Sequence, residues 1–230
     1  MKRILCLMIV FILWLGAVPA LAAGKLSVLQ ENFYYMPSFL NYGYAYAKVE
    51  NIGDKPMKVN AGVLEIFDEN GEVLTSTDYM EAYATYLQPG EYTYVQMYEE
   101  LETGQIPGDY LMTLTGKSES KSVAYRLPVE ASFELGVKGD WWTYDYMYAT
   151  VSNPTEDIMY NVAVVFALYD AEGNIIYLDS KDLYNEVGIM PGQSVMLRVE
   201  ISSIFMEQYK MNGVVPTSVD ALAYVLMEEY

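Results

Sequence analysis

The chain has 230 residues, and its 13 Lys and Arg stand against 31 Asp and Glu, with no histidine and one cysteine. Without histidine the chain lacks the usual general base, the Ser-His-Asp arrangement and the commonest zinc ligand. A formal net charge of −18 at pH 7 also disfavours nucleic acid and anionic membranes as partners, because both are bound mainly through Lys and Arg.

The first 22 residues have the three parts of a secretory signal peptide. Lys2 and Arg3 precede an apolar run that ends at Val18, and small residues at 20–22 form a cleavage site. We predict cleavage after residue 22; the alternative, an uncleaved anchor, would need an apolar run of about 20 residues. Cys6 lies within the signal, so we expect an exported mature chain without cysteine and without a stable membrane insertion.

A shift of 102 residues aligns the chain with itself, turn residue on turn residue. The aligned pairs include Tyr42 with Tyr144, Tyr44 with Tyr146, Ala47 with Ala149, Val49 with Val151, Asn51 with Asn153, Asp68 with Asp170, Gly71 with Gly173, and Pro89-Gly90 with Pro191-Gly192. We predict two copies of one domain, at 23–127 and 128–230. The second copy has about nine extra residues near its end, within 205–215.

Short alternating runs separated by turn residues predict β-strands in both copies. In the first copy a strand over 42–49 is followed by turns at 68–71 and 89–90, and a polar stretch at 116–122 separates the copies. About seven such strands in about 100 residues, each with one apolar face, favour two packed antiparallel sheets. We therefore predict an all-β chain of two tandem immunoglobulin-like β-sandwich domains.

One motif of the second copy carries a family resemblance. The run Phe166-Ala-Leu168-Tyr169-Asp170 matches a Phe-x-Leu-Tyr-Asp signature and resembles the FxLYD domain family. The first copy departs to Leu64-Glu-Ile-Phe-Asp68, a looser version. The resemblance implies a small β-sandwich of exported bacterial or archaeal proteins, with no established activity and no catalytic residues to carry over.

The same motif has a purely structural interpretation. Phe166 and Leu168 share one face of a strand and are predicted to fill the core, while Tyr169 opens a turn. Asp170 is predicted to cap that turn and Gly173 to close it, and Asp68 and Gly71 repeat the arrangement in the first copy.

The residues predict no catalytic site, no cofactor and no metal site. Phosphate-binding glycine motifs are absent, and carboxylate pairs such as Asp140 with Asp145 arise by chance among 31 acids. A glycosidase would also need a groove between its two carboxylates. Calcium is the metal that such an acidic chain could hold, but no acidic run has the spacing of a calcium loop.

Tyrosine occurs 23 times and supplies the candidate binding residues. Ala45, Ala47 and Val49 are predicted to face inward, which turns the tyrosines between them outward. The predicted binding residues are Tyr44, Tyr46, Tyr92, Tyr94, Tyr98 and Trp142. Trp141 and Trp142 are adjacent, so one is expected inside. Three explanations of the tyrosines stay open: a binding surface, cross-strand pairs that stabilise a wet sheet, or packing of the copies on each other.

The sequence thus predicts a secreted, non-enzymatic bacterial protein that acts at the cell exterior as an interaction or spacer module. Its expected partner is an extracellular or cell-wall protein. The alternative is a glycan-binding module that stacks the same tyrosines and tryptophans on sugar rings. A carboxylate hydrolase is a third and weaker hypothesis.

Overall fold

The computed structural model of the chain describes residues 25–37, 41–119, 122–183 and 187–228. The predicted signal peptide lies outside the described residues. The described part forms fifteen strands and one helix. The strands are β1 Leu26–Met36, β2 Tyr42–Asn51, β3 Met57–Phe67, β4 Val73–Thr77, β5 Met80–Ala82, β6 Tyr86–Leu87, β7 Tyr92–Glu100, β8 Asp109–Ser118, β9 Ser122–Leu127, β10 Val129–Lys138, β11 Thr143–Ser152, β12 Val162–Tyr169, β13 Ile175–Asp182, β14 Ser194–Glu200 and β15 Ser218–Glu228, with helix α1 Ser203–Asn212 between β14 and β15.

The strands form four antiparallel sheets, and the all-β prediction is confirmed. Sheet A has the order β1-β2-β7-β5, and sheet B consists of β3 flanked by β4 and β6 on one side and β8 on the other. Sheet C has the order β13-β12-β15-β9, and sheet D has the order β10-β11-β14. Strand β9, which ends at Leu127, pairs with β15 and so belongs to sheet C.

Strand pairing repeats with the same offset as the sequence. Val49 pairs with Thr93 in sheet A, and Val151 pairs with Val195 in sheet D, 102 residues later. Towards the end the offset grows to 109, since the partner of Ile66 is Tyr110 whereas the partner of its equivalent, Leu168, is Val219. The second half therefore has seven extra residues rather than nine. They lie with α1, a helix that the sequence analysis did not predict.

Three apolar cores separate the four sheets. The first fills the space between sheets A and B and includes Ala47, Leu64 and Val95, all fully buried. The second, with Phe166 and Leu168, lies between sheets C and D. The third joins the outer face of sheet A to the outer face of sheet C. The layers therefore follow the order B, A, C, D.

Two equivalent turns are capped by aspartate. The Asp170 carboxylate accepts hydrogen bonds from the N–H groups of Glu172 and Asn174, at 3.0 and 2.7 Å. Gly173 has φ 83°, a left-handed conformation that is unfavourable for residues with a side chain. Asp68 and Gly71 form the same turn in the first half, with Gly71 at φ 80°.

Two equivalent asparagines fix the loops that enter the strands. The Asn51 side chain donates to the carbonyl groups of Lys55 and Leu87, at 2.8 and 3.0 Å. Asn153 donates to Asp157 and Ile189, both at 2.7 Å. Both asparagines are essentially inaccessible to solvent, so these bonds satisfy polar groups that burial has removed from water.

Candidate functional site

Six tyrosines lie on the outer face of sheet A, and we call them the tyrosine face. They are Tyr42, Tyr44 and Tyr46 on β2 and Tyr92, Tyr94 and Tyr98 on β7. The two strands are neighbours, and their register sets Tyr44 opposite Tyr98 and Lys48 opposite Tyr94. Alternation brings these side chains to one face because successive residues of a strand point to opposite sides.

The middle of the tyrosine face is covered by sheet C. Tyr46 and Tyr94 are 0% exposed and pack with Val165 and Leu222 in the third core. The prediction that these two tyrosines point into solvent is therefore wrong. Of the three explanations, packing of the two halves on each other accounts for this part of the face.

Asp220 on β15 is the polar centre of this contact. Its Oδ2 atom accepts hydrogen bonds from the hydroxyl groups of Tyr94, at 2.5 Å, and Tyr92, at 3.2 Å. Lys48 forms an ion pair with the same oxygen at 3.3 Å. The Lys48 ammonium also lies 3.9 Å from the ring centre of Tyr92, within the range of a cation–π interaction.

The contact raises the tyrosine pKa values. Burial raises the pKa of Tyr94 well above its usual range, and the nearby Tyr169 and Asp220 add to the shift. The hydroxyl groups of Tyr94 and Tyr169 are 2.9 Å apart. Burial, followed by the charge of Asp220, raises the pKa of Tyr92 to about 12. The hydroxyl groups therefore stay protonated at neutral pH and donate to the carboxylate.

Helix α1 covers one end of the tyrosine face. Phe205 packs edge-on against Tyr44, with ring centres 5.0 Å apart. Tyr209 makes a similar contact with Tyr34, and the Asn212 side chain donates to the Tyr34 hydroxyl at 3.0 Å. The helix therefore belongs to the contact between the halves.

Only the margin of the tyrosine face remains open to solvent. Tyr44, Tyr92 and Tyr98 are half-buried. The Tyr98 ring lies between Tyr44 and Tyr79, at centre distances of 5.5 and 5.4 Å. Burial raises the pKa of Tyr44 to about 12. These rings pack mainly on one another and leave a narrow aromatic rim for a ligand.

A cavity of about 280 Å³ opens at the seam between the halves. Tyr92 and Leu222 line its sides, and Arg126 lies at its wall. The guanidinium donates to the backbone carbonyl of Tyr92 at 2.9 Å and lies 3.7 Å from a carboxylate oxygen of Glu91. Burial lowers the pKa of Arg126, and the Glu91 carboxylate opposes this shift. The cavity is mostly apolar, and the Nε and Nη1 atoms of its arginine are buried without a hydrogen-bond partner among the described residues.

A second aromatic site lies away from this seam, in a cleft of about 680 Å³ beside α1. Its aromatic wall is formed by Trp142 and Tyr144, and Met206 of α1 adds an apolar surface. The charged side chains that line the cleft are Asp145, Glu200, Glu207 and Lys210. Ligand pockets commonly have volumes of about 300–1,000 Å³. The size and the aromatic wall suit a small organic ligand.

Trp142 is the predicted binding residue that the structure leaves most accessible, with 73% of its surface exposed. Trp141 is 88% exposed, so the expectation that one of the pair faces inward is wrong. Both lie in the loop before β11, where strand alternation does not apply. Trp142 lines the cleft and Trp141 does not. The predicted binding residues thus fall into two separate places, the seam and the cleft.

The residues that the sequence analysis missed are Asp220, Arg126 and those of α1. Asp220 had a signal, since it is a lone acid in the apolar run 218–225 and a charged group among apolar side chains requires partners. Among the described residues, no group of three or more acidic or cysteine side chains is arranged to hold a metal ion. Within the same part of the chain, no helix is both long and apolar enough to cross a membrane.

Comparisons with known proteins add little to these observations. No protein-family model matches the chain, and no curated protein sequence matches it. Among solved structures, red sea bream transglutaminase is similar at 12% identity with a TM-score of 0.23. The match covers 94% of this chain and 32% of that one, so the chain spans about a third of its length. A likeness at this level carries no argument about function.

Proposed function

We propose that the chain is a secreted, non-enzymatic bacterial protein of two immunoglobulin-like β-sandwich modules of the FxLYD type, acting as an extracellular interaction or spacer module. Support for two modules comes from the paired sheets: A faces B, C faces D, and equivalent strands, turns and asparagines recur 102 residues apart. Support for export comes from the N-terminal sequence alone.

The observation that carries the proposal is the burial of Tyr46 and Tyr94 between sheets A and C. Modules within one chain move relative to each other by default, unless their interface is large and apolar. Here an apolar core, the Asp220 hydrogen bonds and α1 all join the halves. Two modules held at a fixed distance suit a protein that separates an exported partner from its target by a set distance.

The test measures export first and spacing second. The full chain is expressed in a bacterium, and the protein is collected from the medium; mass spectrometry should give an N-terminus at Ala23. Val73→Cys and Met196→Cys then place one fluorophore on β4 and one on β14, at positions that are 55% and 65% exposed. We expect a single narrow distance distribution. Retention in the cell, or a broad distribution, would contradict the proposal.

The partner class is tested by capture on the exported protein. We expect a cell-wall or secreted protein to be retained at a fixed stoichiometry, while isolated polysaccharides pass through. Retention of the polysaccharides would favour the alternative function.

The alternative is a glycan-binding module, and the cleft at Trp142 favours it specifically. Sugar rings stack on flat aromatic side chains, and Trp142 and Tyr144 supply two next to carboxylates that can accept hydroxyl hydrogen bonds. Trp142→Ala should then abolish retention on polysaccharide. Trp141→Ala is the matched control, because Trp141 is also largely exposed but lies outside the cleft. Equal binding by both variants would exclude the cleft.

A further inference from the structure

Strand β8 has an open edge. On one side β8 pairs with β3, and among the described residues no strand pairs with its other side. Its equivalent in the second half, β15, is paired on both sides, with β12 and with β9. The same strand is therefore internal in sheet C and at the edge in sheet B.

The mature chain has too few residues to cover this edge itself. With the offset of 102, the segment equivalent to β9 is 20–25. Cleavage after Ala22 leaves three of these six residues, and the Lys25 carbonyl already accepts a hydrogen bond from the Ile52 N–H group, at 2.8 Å. This step rests on the export proposed above.

Between Asp109 and Lys117 the sequence of β8 leaves its edge unprotected. Proteins commonly protect edge strands with proline, bulges or inward-pointing charges, because unpaired backbone groups attract other strands. Residues 109–118 contain no proline, and the inward positions are occupied by Tyr110, Met112 and Leu114. Leu111 on the outward side is 50% exposed. The edge is thus suited to pair with another extended strand.

Charge favours a second β8 as that strand. A two-fold axis through Thr113 sets Asp109 of each copy opposite Lys117 of the other, forming two ion pairs. A shift of one strand by two residues keeps the inward side chains inward but changes the pairs. In one direction it sets Asp109 opposite Glu119, and in the other it sets Lys117 opposite Pro107. Of these three registers, only the one centred on Thr113 sets Asp109 and Lys117 opposite residues of opposite charge.

Lys117 gains a partner in this arrangement. Within its own chain Lys117 lies opposite Lys58, and it forms no ion pair among the described residues. Like charges directly opposite each other destabilise a sheet, whereas opposite charges stabilise it. Asp109 of a second copy would offset the charge of Lys58 and Lys117.

We propose that this protein forms a homodimer in which two β8 strands pair antiparallel about a two-fold axis at Thr113. Sheets B of the two copies then join into one continuous sheet, with the other halves at opposite ends. A contact through one strand is smaller than the standard interface of about 1,600 Å², so the dimer is expected to be weak and dependent on concentration.

Disulfide trapping tests the register directly. Opposite residues of antiparallel strands have Cα atoms about 4.5 or 5.5 Å apart, and disulfides bridge about 4.4–6.8 Å. Thr113→Cys should therefore give a covalent dimer under mild oxidation, since the only native cysteine lies in the signal peptide. Thr115→Cys is the control: two such residues would lie about 13 Å apart along the strands.

Charge reversal provides the second test. In sedimentation equilibrium Lys117→Glu should weaken the dimer at least tenfold, because it sets two acids against each other. The double variant Asp109→Lys with Lys117→Glu should restore it, since the pair is only exchanged. Lys138→Glu, an equal charge change on exposed β10, should have no effect.

The proposal is overturned if the wild-type protein stays monomeric up to its solubility limit, or if Thr115→Cys crosslinks as well as Thr113→Cys. Mass spectrometry of the same sample reads the N-terminus. A chain that keeps residues 20–22 and stays monomeric would cover its own edge, which also overturns the proposal. Failure of export is thereby distinguished from failure of dimerisation in a correctly processed chain.

Discussion

Two fully buried tyrosines of the contact between sheets A and C differ in what their hydroxyl groups bind. The Tyr94 hydroxyl donates to Asp220 at 2.5 Å and contacts the Tyr169 hydroxyl. The Tyr46 hydroxyl is equally buried and has no hydrogen-bond partner among the described residues. A buried polar group without a partner destabilises the fold, whereas a bond to a charged group stabilises it.

Replacement of each tyrosine by phenylalanine should therefore have opposite effects. Tyr94→Phe removes a bond to a carboxylate and is expected to lower the free energy of unfolding by about 1.5–3 kcal/mol. Tyr46→Phe removes an unsatisfied group and should leave the stability unchanged or raise it. Urea unfolding of the two variants measures both effects. An equal loss in both would show that the Asp220 bond adds nothing.

Buried tyrosines also predict a loss of stability at alkaline pH. The folded-state pKa of Tyr94 is raised above the ordinary value of 10, so below pH 10 the hydroxyl is protonated in both states and its contribution is complete. As the pH rises above 10, the unfolded chain loses this proton first, and the contribution falls by up to about 1.4 kcal/mol per pH unit. Urea unfolding between pH 9 and 12 should show that the free energy of unfolding falls less steeply with pH in Tyr94→Phe than in the wild-type protein. Identical slopes would contradict the shift.

At the level of single elements, the repeat predicts equal roles for Asn51 and Asn153. Each donates to one buried backbone carbonyl, that of Leu87 or Ile189, and to one partly buried carbonyl, that of Lys55 or Asp157. Asn51→Ala and Asn153→Ala should each lower the free energy of unfolding by about 1–3 kcal/mol, since each leaves one buried acceptor without a donor. Asn70→Ala is the control, because its exposed side chain bonds only Asp68. A loss in one half alone would show that the two loops are not equivalent.

The sequence contained a signal for burial on both sides of β12. Residues 162–168 are apolar without interruption, a pattern typical of a strand buried on both faces, and all seven are buried. In strand β2 apolar and polar residues alternate instead, which indicates one buried face and one solvent-exposed face. Tyr46 satisfies that alternation and is nevertheless buried, because tyrosine is apolar enough for an interface and polar enough for a surface. Alternation therefore predicts the strand, but not the layer that covers it.

Elements without strand periodicity were predicted less well. The sequence located the insertion that contains α1 but not its helical form, since ten residues of mixed polarity give no clear apolar stripe. Gly213, in the left-handed conformation after α1, was the available end signal. The cleft at Trp142 unites a loop, β11, β14 and α1, so no local pattern could predict it.

At the scale of the whole molecule, the four sheets form one continuous stack. Sheets A and C are covered on both faces, whereas sheets B and D are the outer layers. Unfolding of either half would expose Tyr46, Tyr94 or Leu222 of the third core. This apolar area couples the two halves, although each also has a core of its own.

Coupling predicts a single thermal transition for the wild-type protein, in spite of its duplicated sequence. Val165→Asp should split this transition into two in calorimetry, because a buried carboxylate in the third core opens the contact and leaves the other two cores intact. Ile66→Val is the matched control, since it removes one methyl group from the core between sheets A and B and should lower the melting temperature while keeping one transition. Two transitions in the wild-type protein, or a single one in Val165→Asp, would show that the contact between sheets A and C does not couple the unfolding of the halves.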